Sequence, residues 1–226
     1  MFHIQSADVL GLWPNFSLVE LQTPIDTVHQ AAAFGAQLKL RNLLADGANP
    51  DALHERSRKT PLLYAIGSNM PGLIQMLCKN GADPDGKHLP EQWPSPLVLA
   101  VELGNYHPVR VLIECGADVN RPKLSRFTSL PLHRAVEKGD ARLVKLLLDS
   151  GAEPRLIDAF GFEPIHYLCA ETPAKAVKIA KLLIEAGADI NARAGDETLA
   201  DYLSAATAKV KRRLQELGLV MTPPAA

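Results

Sequence analysis

The chain holds seven histidines and three cysteines, the residue types that most often bind metals or move protons near neutral pH. His29, His133 and His166 sit in look-alike surroundings: "TVHQAAAFG", "LPLHRAVEKG" and "EPIHYLCAE". A metal centre or a general base needs partners converging on one point, whereas these three recur as a column along the chain. The same position is filled by Leu63 and Val98, which carry no ligand atom. A structural role is the expectation for this histidine column. His54, His88 and His107 fall in turns or near a helix start, with no HExxH and no pair of histidines at helical spacing. Cys78, Cys115 and Cys169 form no CxxC pair, so neither a zinc site nor a disulfide framework is indicated. Cys78 and Cys169 read as packed thiols, and Cys115, beside Gly116, as partly exposed. No GxxxxGK[ST], GxGxxG or GxSxG occurs, so the phosphate cradle and the nucleophile elbow are both missing. No catalytic residue, metal or cofactor is expected.

Composition narrows the field further. With 226 residues and 47% hydrophobic content, the chain suits one large domain or two small ones and is too apolar for disorder. A net charge of −1 gives no electrostatic case for nucleic acid or a membrane surface. The start, "MFHIQSADVLGLWPNF", lacks a basic leader, and no apolar run is long enough to span a bilayer. Three unpaired cysteines fit a reducing compartment, so a cytoplasmic location is expected.

The elements that position these side chains are set by an internal repeat. "GANPD", "GADPD", "GADVN", "GAEPR" and "GADIN" begin at Gly47, Gly81, Gly116, Gly151 and Gly187, spaced by 34, 35, 35 and 36 residues. Sixteen residues before each of the first four glycines stands Ala31, Ala65, Ala100 or Ala135; Leu168 takes that column in the fifth copy. Each column has a physical reason. Thr60 or Ser95 can cap a short helix, and Asp26 can cap the first. Leu130 and Glu163 depart from the capping preference. Pro61, Pro96, Pro131 and Pro164 follow where a missing N–H costs nothing. The small Ala lets two helices approach closely. Gly35, Gly104 and Gly139 stop the first helix, and Asn69 substitutes because Asn tolerates the left-handed conformation. The second helix, with Leu143, Val144, Leu146, Leu147 and Leu148 in the fourth copy, is too apolar to stand alone. Neighbouring copies must cover it.

This period and the pattern "TPLHxA…G…LL…GAD(V)N" resemble the ankyrin repeat over roughly residues 26–217. The resemblance implies an all-α ankyrin-repeat solenoid of helix-turn-helix units with protruding turns or short hairpins. It also implies that the histidine column joins hydrogen bonds between capping turns. Residues 1–24 are expected to be a non-repeat N-terminal cap, 25–191 five repeats, 192–219 a degenerate repeat with a capping helix, and 220–226 a loose tail. In that helix Val210, Leu214 and Leu217 make an apolar stripe and Lys209, Lys211, Arg212 and Arg213 a wet face.

The resemblance further implies that a partner docks on the concave surface formed by turn tips and the ends of the first helices. Carried onto this chain, the protein-binding candidates at the tips are Arg56, Arg58, Lys59, Trp93, Arg126, Phe127, Phe160 and Phe162. On the helix ends they are Glu102, Leu103, Glu137 and Lys138. Aromatic and arginine side chains dominate binding hot spots. The alternative for Trp93 and Phe127 is packing between adjacent turns. "HERSRK" and "RPKLSR" are basic and suit an acidic patch on the partner, or are simply solvated. The usual turn glycine survives only at Gly161; Arg58, Trp93 and Thr128 stand in its column. The expected function is a non-enzymatic protein-protein interaction module, monomeric by itself, that binds, masks or inhibits another protein. A narrower form is an immunity-type inhibitor of one toxin or enzyme. The rival is a small-ligand receptor or enzyme with its site at the N-terminal segment or the enlarged loop 169–178.

Overall fold

The computed structural model describes residues 27–90, 93–121, 130–168, 173–195, 197–202 and 208–220. Four helix pairs come first: α1 (Val28–Ala33) with α2 (Gln37–Ala45), α3 (Pro61–Gly67) with α4 (Pro71–Lys79), α5 (Pro96–Glu102) with α6 (Tyr106–Glu114), and α7 (Pro131–Glu137) with α8 (Ala141–Asp149). A 3₁₀ turn (Pro164–Tyr167) and α9 (Pro173–Glu185) form the fifth pair. A two-residue hairpin, β1 (Arg193–Ala194) with β2 (Glu197–Thr198), leads to α10 (Leu199–Tyr202) and α11 (Ala208–Gln215). Successive first helices pack in one row, α1 on α3 on α5 on α7 on the 3₁₀ turn. The second helices α4, α6, α8 and α9 pack in a parallel row, with α11 closing on α9. The fold is an all-α repeat solenoid.

The helices stop where local chemistry says they should. Gly47, Gly81, Gly116, Gly151 and Gly187 take φ between 89° and 103°, and the residue after each donates its N–H five residues back, as Ala82 does to Leu77 O at 3.0 Å. First helices end the same way, with the carbonyl of the Ala column as acceptor: Met70 N–H reaches Ala65 O at 2.9 Å. Asn69 takes φ 52°, as its substitution for glycine requires. Ala31, Ala65, Ala100 and Ala135 are fully buried, so any larger side chain there would push the helices apart. Where Leu168 replaces Ala, the first helix shrinks to a single 3₁₀ turn that breaks at Leu168. One core runs from Val28 to Leu219, with Leu73, Ile74 and Leu77 of α4 and Leu143, Val144 and Leu147 of α8 buried between neighbours. Each such side chain contributes about 1.5–3 kcal/mol, which a lone helix pair could not collect.

Polar side chains staple one copy to the next. Asp51 accepts from the N–H of Asp83 at 3.1 and 3.0 Å, Asp85 from that of Asp118 at 2.9 Å, and Asn120 from that of Glu153 at 2.8 Å. Asn191 repeats the arrangement with the N–H of Val220 at 2.8 Å, so "GLV" at 218–220 takes the place that "GAD" holds elsewhere. His29, His133 and His166 each present Nε2 to a carbonyl of the following segment: Ala52 at 2.7 Å, Phe162 at 3.0 Å and Ala192 at 3.0 Å.

Some expectations about caps need correcting. Thr60 is buried and makes no capping bond, while Ser95 does cap, accepting from Val98 N–H at 3.3 Å. Thr27 is the cap of α1, paired with Gln30 in a capping box; Asp26 lies outside the described residues. At Glu163 it is the backbone N–H that is satisfied, by donating to His166 Nδ1 at 3.1 Å. The loop expected at 169–178 is largely the start of α9 from Pro173, with 169–172 outside the described residues, as are the proposed N-terminal cap and the tail from 221. In α11, Leu214 is buried while Arg212 and Arg213 are exposed.

Candidate functional site

Two of the segments linking the repeats form ordered tips. The first spans His54 to Lys59. It is closed by His54 N–H to Lys59 O at 2.9 Å and Arg58 N–H to His54 O at 2.8 Å. Ser57 Oγ lies 3.2 Å from His54 Nδ1 and 2.9 Å from the Tyr64 hydroxyl, and Trp93 Nε1 donates to Ser57 O at 3.1 Å. The Trp93 bond reaches across from the next repeat. The second tip is organised by Asp158, whose Oδ1 accepts from the N–H of Phe160 at 2.8 Å and of Phe162 at 3.0 Å. Tyr167 donates to the other oxygen of Asp158. Tyr64 and Tyr167 hold the same repeat position, four residues after the cap, and each bonds its own tip. The shared Tyr in "TPLLY" and "EPIHY" signals this pairing, though sequence reasoning passed over it.

Burial sorts the candidate residues. Arg56 and Arg58 are exposed, and so is Phe160, at 68%. Ile157, which sequence reasoning missed, stands beside it at 61%. Phe162 is half-buried, its ring 5.8 Å from that of His166. Trp93 corrects the expectation of an exposed anchor: it is only 7% exposed, its indole N–H is satisfied, and the Lys59 ammonium lies 4.6 Å over its ring. Lys59 is itself buried between Trp93 and Tyr64, and burial pushes its amine down to about 8. These residues brace the tip from inside. Arg126 and Phe127 lie outside the described residues.

The helix ends of the third and fourth repeats carry a charge cluster. Glu102 is buried and bonded by Arg134, which also bonds Glu137, while Lys138 Nζ sits 3.8 Å from Glu102. Two acids face two bases, so this patch is neutral overall. Glu102, expected as a contact residue, is enclosed by its own partners, whereas Lys138 is exposed and Leu103 and Glu137 are half-exposed. Arg56 and Arg58 are thus exposed at the first tip and Ile157 and Phe160 at the second, with the compensated cluster on the first helices of the repeats between them.

Titratable groups elsewhere follow burial. His29 and His133 are pushed below the usual imidazole value by desolvation. The Cys78 thiol is pushed up by burial and by its hydrogen bond with Cys115. Tyr167 is raised by burial and by its bond to Asp158. Among the described residues no group of three or more His, Cys, Asp or Glu is placed to hold a metal ion, and no helix is long and apolar enough to cross a membrane.

The family model for ankyrin repeats, written for three copies, matches residues 28–123 and again 97–194. Among solved structures, an ankyrin repeat domain from Acinetobacter baumannii AYE superposes with a TM-score of 0.73 at 24% identity. That match covers 84% of this chain and 97% of the other. No curated protein matches the sequence.

Proposed function

The chain belongs to the ankyrin-repeat family, whose repeats generally mediate protein-protein interaction, and from that premise we propose that it binds a partner protein along its turn tips and first-helix ends. The observation that carries this is the second tip. Phe160 and Ile157 are exposed on a loop that Asp158 and Tyr167 hold rigid. An exposed aromatic on a fixed loop loses little freedom on docking, which favours affinity. Arg56, Arg58, Leu103, Glu137, Lys138 and Phe162 complete the contact set, and Arg126 and Phe127 extend it. The basic tip selects an acidic patch on the partner. The protein acts without catalysis, as a cytoplasmic monomer that masks or inhibits what it binds.

Affinity capture from native lysate, at low and high salt, tests this with the wild type and Phe160→Ser. The variant is expected to fold and to lose the partner, with recovery of the partner also falling at high salt. One tight enzyme among the captured proteins supports a dedicated inhibitor; several weaker partners support a scaffold. Undiminished capture by Phe160→Ser counts against the proposed surface.

A further inference from the structure

An open groove of about 470 Å³ lies between the first and second inter-repeat segments, lined by Asn49, Asp51, Ala52, Leu53, Arg58 and His88. We propose that it is a carboxylate pocket, taking an Asp or Glu side chain from a peptide segment of the partner protein with Arg58 as the clamp. This rests on the protein-binding reading above.

The first support is the backbone of Arg58. Its φ is 57°, a left-handed conformation that only Asn69 shares among the described non-glycine residues. Asn tolerates it by local hydrogen bonding, whereas arginine has no such compensation. Gly161 fills the equivalent position of the other tip at φ 83° without strain. Glycine would serve the turn better at 58, so what the arginine adds is its guanidinium. Strain of this kind, held in place by surrounding structure, points to a role for the side chain.

The second support is the bracing. The Ser57 bonds to His54 and Tyr64 and the Trp93 bond to Ser57 O fix the tip from three directions. Arg58 is thus presented on a rigid base, although it is itself exposed and makes no side-chain ion pair among the described residues. The third support is charge. Arg56 is exposed on the same tip, and Lys87, exposed on the second segment, is 3.8 Å from Asp85. The groove's own acid, Asp51, has both oxygens turned to the backbone N–H of Asp83. A planar guanidinium in a groove also lined by Ala52 and Leu53 suits a carboxylate on a short aliphatic stem.

The test uses the full chain, isotopically labelled, and a terminally blocked hexapeptide with two Glu residues, set against the same peptide with Gln. The Glu peptide is expected to shift the signals of Arg58, His88 and Leu53, binding at least fivefold more tightly than the Gln peptide. Arg58→Ala should weaken it at least fivefold with an unchanged spectrum elsewhere. Should Arg58→Ala fold poorly, Arg58→Gly relieves the backbone and must lose binding equally. Equal binding of the two peptides, or full binding by the Arg58 variants, overturns the pocket. The captured partner separates the two levels. Loss with Phe160→Ser but not with Arg58→Ala removes the pocket and leaves the module, whereas indifference to both removes the module too.

Discussion

At the scale of single residues, the histidine column shows how one slot depends on another. In the fifth repeat the His166 ring is fully used: Nδ1 accepts from Glu163 N–H at 3.1 Å while Nε2 serves Ala192 O. In the fourth repeat the capping position holds Leu130, which offers no hydroxyl, and His133 Nδ1 is buried with no partner among the described residues. A hydroxyl there should supply that partner, so Leu130→Thr should be more stable than the isosteric Leu130→Val by about 1 kcal/mol, although both give up part of a buried leucine; the difference would be seen as a higher urea midpoint. The same burial makes the fold sensitive to acid. His29 and His133 have folded values below the unfolded imidazole value of about 6.5. As pH falls through that value, the unfolded chain takes up protons that the folded chain resists, so stability present above it is lost below it. Urea midpoints should fall between pH 7 and pH 5, and His133→Gln should flatten the decline; a midpoint flat across that window in the wild type would refute the assignment.

At the scale of elements, legibility tracked how local the cause was. The helix stops at Gly47, Gly81 and Asn69 follow from the φ those residues tolerate, and the sequence alone showed them. The Ala column was equally plain, because a fully buried methyl is a demand of helix approach. For Trp93 the sequence left two readings, an exposed anchor or packing between adjacent turns, and the structure takes the second. Its burial depends on Lys59 and Ser57 of the preceding tip, which meet it only after the repeats stack. Glu102 was misplaced for the same reason, since Arg134 reaches it from the next first helix. The ladder of Asp and Asn side chains lay in plain view in "GADPD" and "GADVN", yet its bonds run 32–33 residues along the chain. Asn120 carries two such links, to Glu153 N–H at 2.8 Å and to Gly151 O at 2.9 Å. Asn120→Ala should cost about 1–2 kcal/mol and loosen the junction between third and fourth repeats, measurable by denaturation and by faster amide exchange after Gly151.

At the scale of the molecule, a stacked array leaves one long edge where successive tips line up, and its chemistry changes along the row. Arg56 and Arg58 lie at one end, the compensated Glu102–Arg134–Glu137–Lys138 cluster in the middle, and Ile157 and Phe160 toward the other. A partner spanning the edge would meet charge first and apolar surface last, which suits fast steered encounter followed by a slow-dissociating contact. The most direct measurement is amide hydrogen exchange on the full chain with and without its captured partner. The account predicts new protection at 54–59 and 153–162 and at the ends of α5 and α7, with α4, α6 and α8 unchanged. Protection confined to α4, α6 and α8, with both tips exchanging as they do in the free chain, would contradict it.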